Sequence, residues 1–271
     1  MPSERDLLAT ERGSVMAPAG CGKTELIARA AAINCGKCML VLTHTNSGLR
    51  ALKDRMQRLR VKPGSVHVDT IAGWALRYAM AYPAGSKCAN HEPLGTEWDR
   101  VYGGVVELLD VRALRAVVQA SYSRLVVDEY QDCSNVQNRL VGKLAALLPT
   151  CILGDPLQGI FDFADGLVPW SEVTADFPLI GELTTPWRWN GKNERLGAWC
   201  LALRRALLAG DSIDLSSGPI TWRKIDQASP RNEAFRIARL NGAVVVIRKW
   251  EAQAHKFARM LCGRYRSMEE V

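Results

Sequence analysis

The chain has 271 residues, of which 48% are hydrophobic and 23% charged, a composition typical of globular proteins and outside the range of disordered chains. Its 35 basic and 28 acidic residues give a formal charge of +7, which suits a polyanionic partner but also fits a basic soluble protein. No run reaches the ~20 apolar residues that span a bilayer, and the charged N-terminus lacks the apolar core of a signal peptide, so we expect a cytoplasmic protein without a membrane partner.

Apolar runs alternate with helical patterns over the first 190 residues. Strands are predicted at 13–18, 38–43, 66–70, 124–128, 151–154 and 180–184, and helices at 24–33 and 46–59. Because the predicted strands show no polar alternation, they are typical of a parallel sheet that is covered on both faces. The pattern therefore predicts an α/β fold.

Two segments depart from this alternation of predicted strands and helices. Residues 71–122 contain two helical stretches around a polar loop at 83–95, which indicates an insertion on the sheet. After Asn190 we expect a helix, then candidate strands at 220–225 and 243–248 and a closing helix. This tail is too short for a second complete doubly wound domain, so we expect a domain at 1–190 and an incomplete one within 191–271.

The eight cysteines are scattered, mostly in apolar segments. Cys35 and Cys38 form the only CxxC pair. A structural zinc site needs four ligands, and neither a second CxxC nor paired histidines complete one. We therefore expect free thiols in a reducing compartment.

The strongest local pattern is APAGCGKT at 17–24, a glycine turn between a strand and a helix. Such a turn lets backbone N–H groups surround phosphate oxygens, and the helix N-terminus adds positive potential. Lys23 would reach the β- and γ-phosphates, and the Thr24 hydroxyl would ligate Mg²⁺. Ala17 stands where GxxxxGK[ST] has its first glycine, so a glycine-rich turn without chemical meaning stays an alternative. The expected nucleotide-binding residues here are Ala19, Gly20, Cys21, Gly22, Lys23, Thr24 and Glu25.

A second pattern, LVVDEYQD at 125–132, ends an apolar strand with two carboxylates. The carboxyl edge of an open parallel sheet is where ligands bind. Asp128 would hold Mg²⁺, and Glu129 would polarise the attacking water as a general base. The alternative, a solvated acidic turn, is weakened by the position of this segment after a P-loop. Together the two patterns predict a site for ATP and Mg²⁺.

With four further segments, these patterns fall in the motif order of superfamily 1A (UvrD/Rep/PcrA-like) DNA helicases, which the chain resembles over about residues 13–190. VLTHTNSGLRALKDRM is similar to motif Ia, VDTIAGWALRY to motif Ib, DEYQD to motif II, ILGDPLQGIFDFADG to motif III and LTTPWRWN to motif IV. A weaker similarity to the start of the second motor domain lies near AVVVIRKWEAQAHKFARML. The resemblance implies a RecA-like P-loop NTPase domain at 1–190, with 71–122 as a reduced insertion. It also implies an incomplete second RecA-like domain after a linker helix within 191–271.

The resemblance also implies roles for residues of motifs III and IV. Gln158 would sense the γ-phosphate and couple it to the DNA site, and Arg188 would contact the γ-phosphate as an arginine finger does. Trp187 would stack on the adenine. The alternatives are that Trp187 only packs and that Arg188 is a surface charge. The catalytic residues implied are Glu129, Lys23, Gln158 and Arg188.

Single-stranded DNA is the implied partner. Phe161 and Phe163 would stack on bases, a contact of about 1–3 kcal/mol per base, or they are core residues. The segment Thr43, His44 and Thr45 would lie along the strand backbone, with His44 where the family has Phe. The basic side chains of the helix at 46–59 and just beyond it either follow phosphates or form a solvated face. These side chains are Arg50, Lys53, Arg55, Arg58 and Arg60.

Three departures from the family pattern stand out. No glutamine precedes Gln57, so selectivity for ATP over other nucleoside triphosphates is open. Ala72 stands where motif Ib often has histidine. Motifs V and VI are absent, so we expect this polypeptide not to complete a translocation cycle alone, either as a truncated helicase or with a partner that supplies the second motor half.

The resemblance leaves three hypotheses. The first is an ATP-dependent DNA helicase or translocase, stimulated by single-stranded DNA and moving 3′→5′. The second is an ATP- and DNA-responsive regulatory subunit of a partner nuclease, as in Gabija-type anti-phage defence. The third, a degenerate remnant with structural value only, is disfavoured because the residues of the nucleotide motifs are intact.

Overall fold

The computed structural model describes residues 1–88, 90–159, 168–215, 218–220, 239 and 251–260. The chain forms two compact units, Met1–Ile213 and Asp214–Val271. The candidate strand at 243–248, and that at 220–225 except for its first residue, lie outside the described residues. The described residues therefore belong almost entirely to the first unit.

The first unit contains a six-stranded sheet in which all neighbouring strands are parallel. The strands are β1 (Arg12–Met16), β2 (Met39–Thr43), β3 (Val66–Thr70), β4 (Arg124–Val127), β5 (Thr150–Gly154) and β6 (Leu179–Glu182). Each predicted strand of the first 190 residues is present with small shifts at its ends, which confirms the α/β prediction. Their order is β3-β2-β4-β5-β1-β6, so β5 separates the strand before the glycine turn from the strand before Asp128. This arrangement is consistent with a RecA-like fold.

Helices connect the strands. They are α1 (Glu4–Ala9), α2 (Lys23–Ile33), α3 (Asn46–Arg58), α4 (Ile71–Ala81), α5 (Pro83–Ser86), α6 (Glu97–Leu108), α7 (Arg112–Ser121), α8 (Asn135–Ala145), α9 (Trp170–Asp176) and α10 (Glu194–Ala209), with α11 (Glu251–Met260) in the second unit. No helix in the described part of the chain is long and apolar enough to cross a bilayer.

The predicted insertion is more helical than its sequence pattern suggested. Four helices, α4 to α7, lie between β3 and β4, where two helical stretches around a loop were predicted. The loop prediction is wrong at its start, because Pro83 begins the short helix α5. Proline suits the first turn of a helix, where its missing N–H would have no partner in any case.

Two apolar layers enclose the sheet. On β2, Leu40 and Leu42 pack in one cluster with α4, α6 and α8, whereas Met39 and Val41 pack in the other with α2 and α3. Successive strand residues point to opposite faces, so a strand with helices on both sides buries every side chain. This is why the strands carry no polar alternation.

Candidate nucleotide-binding site

The carboxyl ends of β1, β4 and β5 meet at one edge of the sheet, because parallel strands end on the same side. The glycine turn follows β1, Asp128 and Glu129 follow β4, and Asp155 follows β5. Ala17 N–H donates to the Gly154 carbonyl at 2.9 Å, which fixes the start of the turn beside the end of β5. The topology therefore brings together segments that are far apart in the chain.

The N-terminus of α2 is left open to a ligand. Several other helices begin with a hydroxyl that accepts a backbone N–H: Thr45 caps α3 through the Gly48 N–H at 3.0 Å, and Ser134 caps α8. The residue before α2 is Gly22, which has no side chain to play this part. The first N–H groups of a helix lack intrahelical partners and favour an anion, so this helix end is suited to phosphate.

Close packing of the 187–188 segment explains two glycines of the turn. Gly20 has φ +76°, and a Cβ there would lie 2.8 Å from Arg188 Cβ. A Cβ on Gly22 (φ +94°) would lie 3.0 Å from Trp187 Cδ1. The Arg188 N–H also donates to the Gly20 carbonyl at 3.1 Å. The turn can therefore hold its left-handed backbone and the adjoining segment only with glycine at these positions.

Lys23 lies between the two carboxylates of the second motif. It is only 9% exposed, lies 3.7 Å from Asp128 Oδ1 and donates a hydrogen bond to Glu129. Burial raises the pKa of Asp128 to about 6, and the neighbouring lysine partly offsets this rise. The arrangement holds a positive charge at the start of α2, where a phosphate would lie.

Glu129 and Gln131 connect the second motif to the third. Glu129 has φ +54°, an uncommon conformation for a residue other than glycine and one found at functional sites. Gln131 Nε2 donates to Glu129 Oε2 at 2.9 Å, while Gln131 Oε1 accepts the Asp155 N–H at 3.0 Å. Gln131 was not among the predicted site residues, although its place in DEYQD was a signal for it.

Gln158 is held by a buried group of charges. Its Nε2 donates to Asp155 Oδ2 at 2.6 Å, and the Asp155 carboxylate forms an ion pair with Arg204. Arg204 Nε also lies 3.4 Å from Glu182 Oε1. Asp155 and Arg204 are 3% and 6% exposed. Sequence reasoning missed both, and Arg204 carries no local signal because it lies in an ordinary amphipathic helix.

A cleft of about 650 Å³ opens over these groups. The predicted residues that line it are Ala19, Gly20, Gly22, Lys23, Thr24, Glu25, Glu129, Gln158, Trp187 and Arg188. The Trp187 side chain is 57% exposed and offers an indole surface to the cleft. Residues from four separate motifs thus surround one volume of the size of a small-molecule site.

Two of the residues predicted to bind nucleotide or Mg²⁺ do not line the cleft. Asp128 is 3% exposed and lies beside Lys23. Cys21 is 2% exposed and packs in the apolar cluster that contains Val15 and Ile27, and burial raises the pKa of its thiol. The turn directs the Cys21 side chain into the core, so the predicted contact of Cys21 with nucleotide would involve its backbone.

Glu25 lies in the cleft wall with two arginines. Its carboxylate accepts from Arg29 Nε at 2.6 Å, and Arg55 Nη1 lies 3.1 Å from its other oxygen. Arg29 and Arg55 both line the cleft. The sequence left open whether Arg55 follows DNA phosphates or belongs to a solvated face, and in the structure it lines this cleft. Of the other basic residues of that face, Arg50, Lys53, Arg58 and Arg60 are exposed.

The residues predicted to bind DNA have structural partners in this fold. Thr43 is fully buried, so its side chain offers no surface to a strand, and the predicted DNA contact would have to involve its backbone. His44 Nε2 lies 3.0 Å from the Asp132 carbonyl, and burial lowers the pKa of His44. Thr45 caps α3. Phe161 and Phe163 lie outside the described residues.

The residues around Lys23 fit Mg²⁺ with a nucleotide rather than a metal held by protein alone. Among the described residues there is no group of three or more His, Cys, Asp or Glu side chains that could hold a metal ion. Mg²⁺ commonly takes one or two protein oxygens and completes its shell with phosphate and water. Thr24 and Asp128 provide a hydroxyl and a carboxylate of this kind.

Comparison with known proteins finds a match to a helicase family model over part of the chain. Residues 82–169, which include motifs II and III, match the family model of the UvrD/REP helicase N-terminal domain. Among solved structures, the chain is similar to the crystal structure of Arterivirus nonstructural protein 10 (helicase), with 14% identity and a TM-score of 0.38. It is also similar to the complex of that helicase with DNA, with 14% identity and a TM-score of 0.37.

Both similarities cover 64% of this chain and 35% of the other, so the chain spans about a third of the length of these structures. No curated protein matches its sequence. The family match includes Glu129 and Gln158, which line the same cleft as Lys23, and Asp128, which lies beside Lys23. Residues 82–169 therefore resemble the UvrD/REP helicase N-terminal domain.

Proposed function

We propose that this chain binds ATP with Mg²⁺ in the cleft over Lys23 and hydrolyses it as the nucleotide-binding part of a UvrD-type DNA helicase or translocase. The observation that carries the proposal is the meeting of Lys23 with Asp128 and Glu129 at an open helix N-terminus. A lysine and an acid pair in this position are what phosphoryl transfer needs, namely charge neutralisation and a group that orients water.

The chain's own residues divide this work. Lys23 would bind the phosphates, and Thr24 and Asp128 would hold Mg²⁺, which neutralises charge on the β- and γ-phosphates when bound. Glu129 would accept the proton of the attacking water once a phosphate has taken its place at Lys23. Gln158 and Arg188 line the same cleft as Glu129 and would contact the γ-phosphate.

The nucleotide base would lie toward the outer part of the cleft. Trp187 presents an exposed indole there, and Glu25 with Arg29 and Arg55 forms a charged wall. We propose stacking of the base on Trp187, which tolerates any base. Selectivity for adenine would then depend on Glu25 and its two arginines, since no glutamine precedes the glycine turn.

We further propose that single-stranded DNA is the polymer partner and that movement is 3′→5′, in line with the resemblance to the family. Residues 1–190 would act as the first motor domain, with 71–122 as its insertion, in a cytoplasmic protein. Movement along DNA requires a second motor half that closes over the nucleotide, supplied by the same polypeptide or by a partner. Neither the described residues nor the comparisons support a partner nuclease or an antiviral role, so we do not propose the regulatory-subunit alternative.

The test is ATP binding and hydrolysis by the chain, with and without single-stranded DNA. We expect Lys23→Ala to weaken ATP binding about 10- to 100-fold, because charge-assisted hydrogen bonds to phosphate are lost. Glu129→Gln should keep binding and lose about 100-fold or more in turnover. Lys192→Ala and Glu107→Gln, which change residues outside the cleft, are the matched controls. Equal ATP affinity of wild type and Lys23→Ala would overturn the proposed site.

A further inference from the structure

Arg204 is a buried arginine on α10, whereas its neighbour in the chain, Arg205, is exposed. Arg204 is 6% exposed and lies within the first compact unit, as do its partners. It pairs with Asp155 through Nη1 and with Glu182 through Nε at 3.4 Å. A buried guanidinium needs carboxylates that compensate its charge, because an unpaired buried charge is strongly destabilising. The pairing with Asp155 is therefore a fixed feature of this edge of the sheet.

The Asp155 carboxylate is the centre of a small set of hydrogen bonds. Besides Arg204, it accepts the Leu157 N–H at 3.1 Å and the Gln158 Nε2 at 2.6 Å. The backbone N–H of Asp155 donates to Gln131. Arg204 thus binds the same carboxylate that accepts the hydrogen bond from Gln158. Arg204 can therefore affect Gln158 without contacting the cleft itself.

The partner of Gln158 decides how its amide is oriented. An ionised carboxylate can only accept, so the NH₂ group of Gln158 must face Asp155. This group has two N–H donors, and one of them is used by Asp155, which leaves the other for an acceptor in the cleft. Without a fixed Asp155, the amide could rotate and present its oxygen, which a phosphate would repel.

We propose that Arg204 is a positioning residue: it fixes Asp155 and thereby sets the Gln158 amide for contact with the γ-phosphate of a bound nucleoside triphosphate. This rests on the proposed function, since it requires nucleotide in the cleft. A diphosphate lacks the γ-phosphate, so Arg204 contributes to the binding of ATP and not to that of ADP. The ratio of the two affinities therefore measures the effect of Arg204 apart from the general integrity of the site.

The experiment measures equilibrium binding of a nonhydrolysable ATP analogue and of ADP, both with Mg²⁺, to the full chain. Arg204→Met keeps the apolar stem and should lower the ratio of triphosphate to diphosphate affinity about three- to tenfold, with ADP affinity unchanged. Arg204→Lys keeps the charge but not the planar fork, and should retain most of the ratio. Arg205→Met is the matched control on the same helix and should keep the wild-type ratio.

A double-mutant cycle separates positioning from stability. Gln158→Ala should lower the ratio as Arg204→Met does, and adding Arg204→Met to Gln158→Ala should lower it no further, because both act on one contact. If Arg204→Met does not fold, Asp155→Asn with Arg204→Met removes both charges together. This pair should fold with the reduced ratio, because a neutral oxygen holds the Gln158 amide more weakly than a carboxylate does.

The outcomes are distinct. A wild-type ratio in Arg204→Met, or in the charge-free pair, overturns the positioning role, as does an equal loss of affinity for both nucleotides. Additive effects of Arg204→Met and Gln158→Ala also overturn it. If the wild-type chain binds neither nucleotide, the proposed function itself is wrong, and the inference falls with it. A reduced ratio with unchanged ADP affinity, absent from Arg205→Met, supports it.

Discussion

Lys23 and Glu129, which are 106 positions apart in the chain, share a hydrogen bond at the edge of the sheet where β1 and β4 end. The same ammonium lies 3.7 Å from Asp128 Oδ1. A triphosphate in the cleft would compete with Glu129 for Lys23. In the proposed function this competition frees the Glu129 carboxylate at the time when a base is needed, and it leads to the first prediction.

Glu129→Gln should bind ATP about two- to fivefold more tightly than the wild type, even though it turns over far more slowly. The reason is that the partly exposed ion pair, worth at most about 1 kcal/mol, no longer competes with the phosphates. Titration calorimetry with a nonhydrolysable analogue measures this, and Glu107→Gln controls for the loss of a surface carboxylate. Weaker binding by Glu129→Gln would show that Glu129 contributes to binding rather than competing with it.

Gly20→Ala should lower the free energy of unfolding and ATP affinity together. Its left-handed backbone costs a residue with a Cβ about 1–2 kcal/mol, and the new Cβ would also meet Arg188. Gly191→Ala is the matched control, because Gly191 has φ +68° with nothing within 4 Å of a Cβ. Urea denaturation of both variants isolates the Arg188 contact. Equal losses would mean that only backbone strain matters at Gly20.

Asp128→Asn should stabilise the protein free of nucleotide and metal at neutral pH. Burial raises the pKa of Asp128 from 3.8 to about 6, so its contribution to stability is complete below 3.8 and is lost as the pH rises through about 6. At pH 7.5 we expect the variant to be more stable by on the order of 1–3 kcal/mol, and near pH 4 to have little advantage. Urea denaturation at both pH values measures this, with the exposed Asp54→Asn as control. A stabilisation that does not depend on pH would show that burial of the Asp128 charge is not its cause.

His44→Gln should show the opposite dependence on pH. Burial lowers the pKa of His44 below 6.5, so the contribution of the neutral ring is complete above pH 6.5 and is lost as the pH falls below that value. Glutamine can still donate to the Asp132 carbonyl. The wild type should therefore lose stability relative to the variant between pH 7.5 and pH 5, as measured by urea denaturation. A constant difference over this range would show that the pKa of His44 is the same in the folded and unfolded states.

Thr45→Ala should lower the free energy of unfolding by about 1 kcal/mol, because it removes the side-chain cap of α3. Thr45→Ser keeps the hydroxyl and should restore stability. The alanine and serine variants together separate the capping role of Thr45 from its predicted contact with DNA. If Thr45 also contacts DNA through its methyl group, the serine variant will be stable and still bind single-stranded DNA more weakly in a fluorescence anisotropy assay.

The strands and the glycine turn could be predicted because their signals are local. A run of apolar residues buried on both faces, such as Met39 to Thr43, carries its own evidence, and so does a glycine turn that ends in Lys23 and Thr24. The insertion was harder, since the division of 71–122 into four short helices depends on packing against α8 and the sheet. The assignment of 1–190 and 191–271 as separate domains stays a prediction.

From the sequence alone, Lys23, Asp128 and Glu129 could be predicted as candidate site residues, because each belongs to a short motif of consecutive positions that follows an apolar strand. Packing in three dimensions was needed to show that Cys21 and Thr43 are buried, that Arg55 lines the cleft with Lys23, and that Arg204 pairs with Asp155. The contacts of a side chain on a helix or turn depend on which element packs against it, and that element can be distant in the chain. For Arg204 and Asp155 that element lies 49 positions away in the chain.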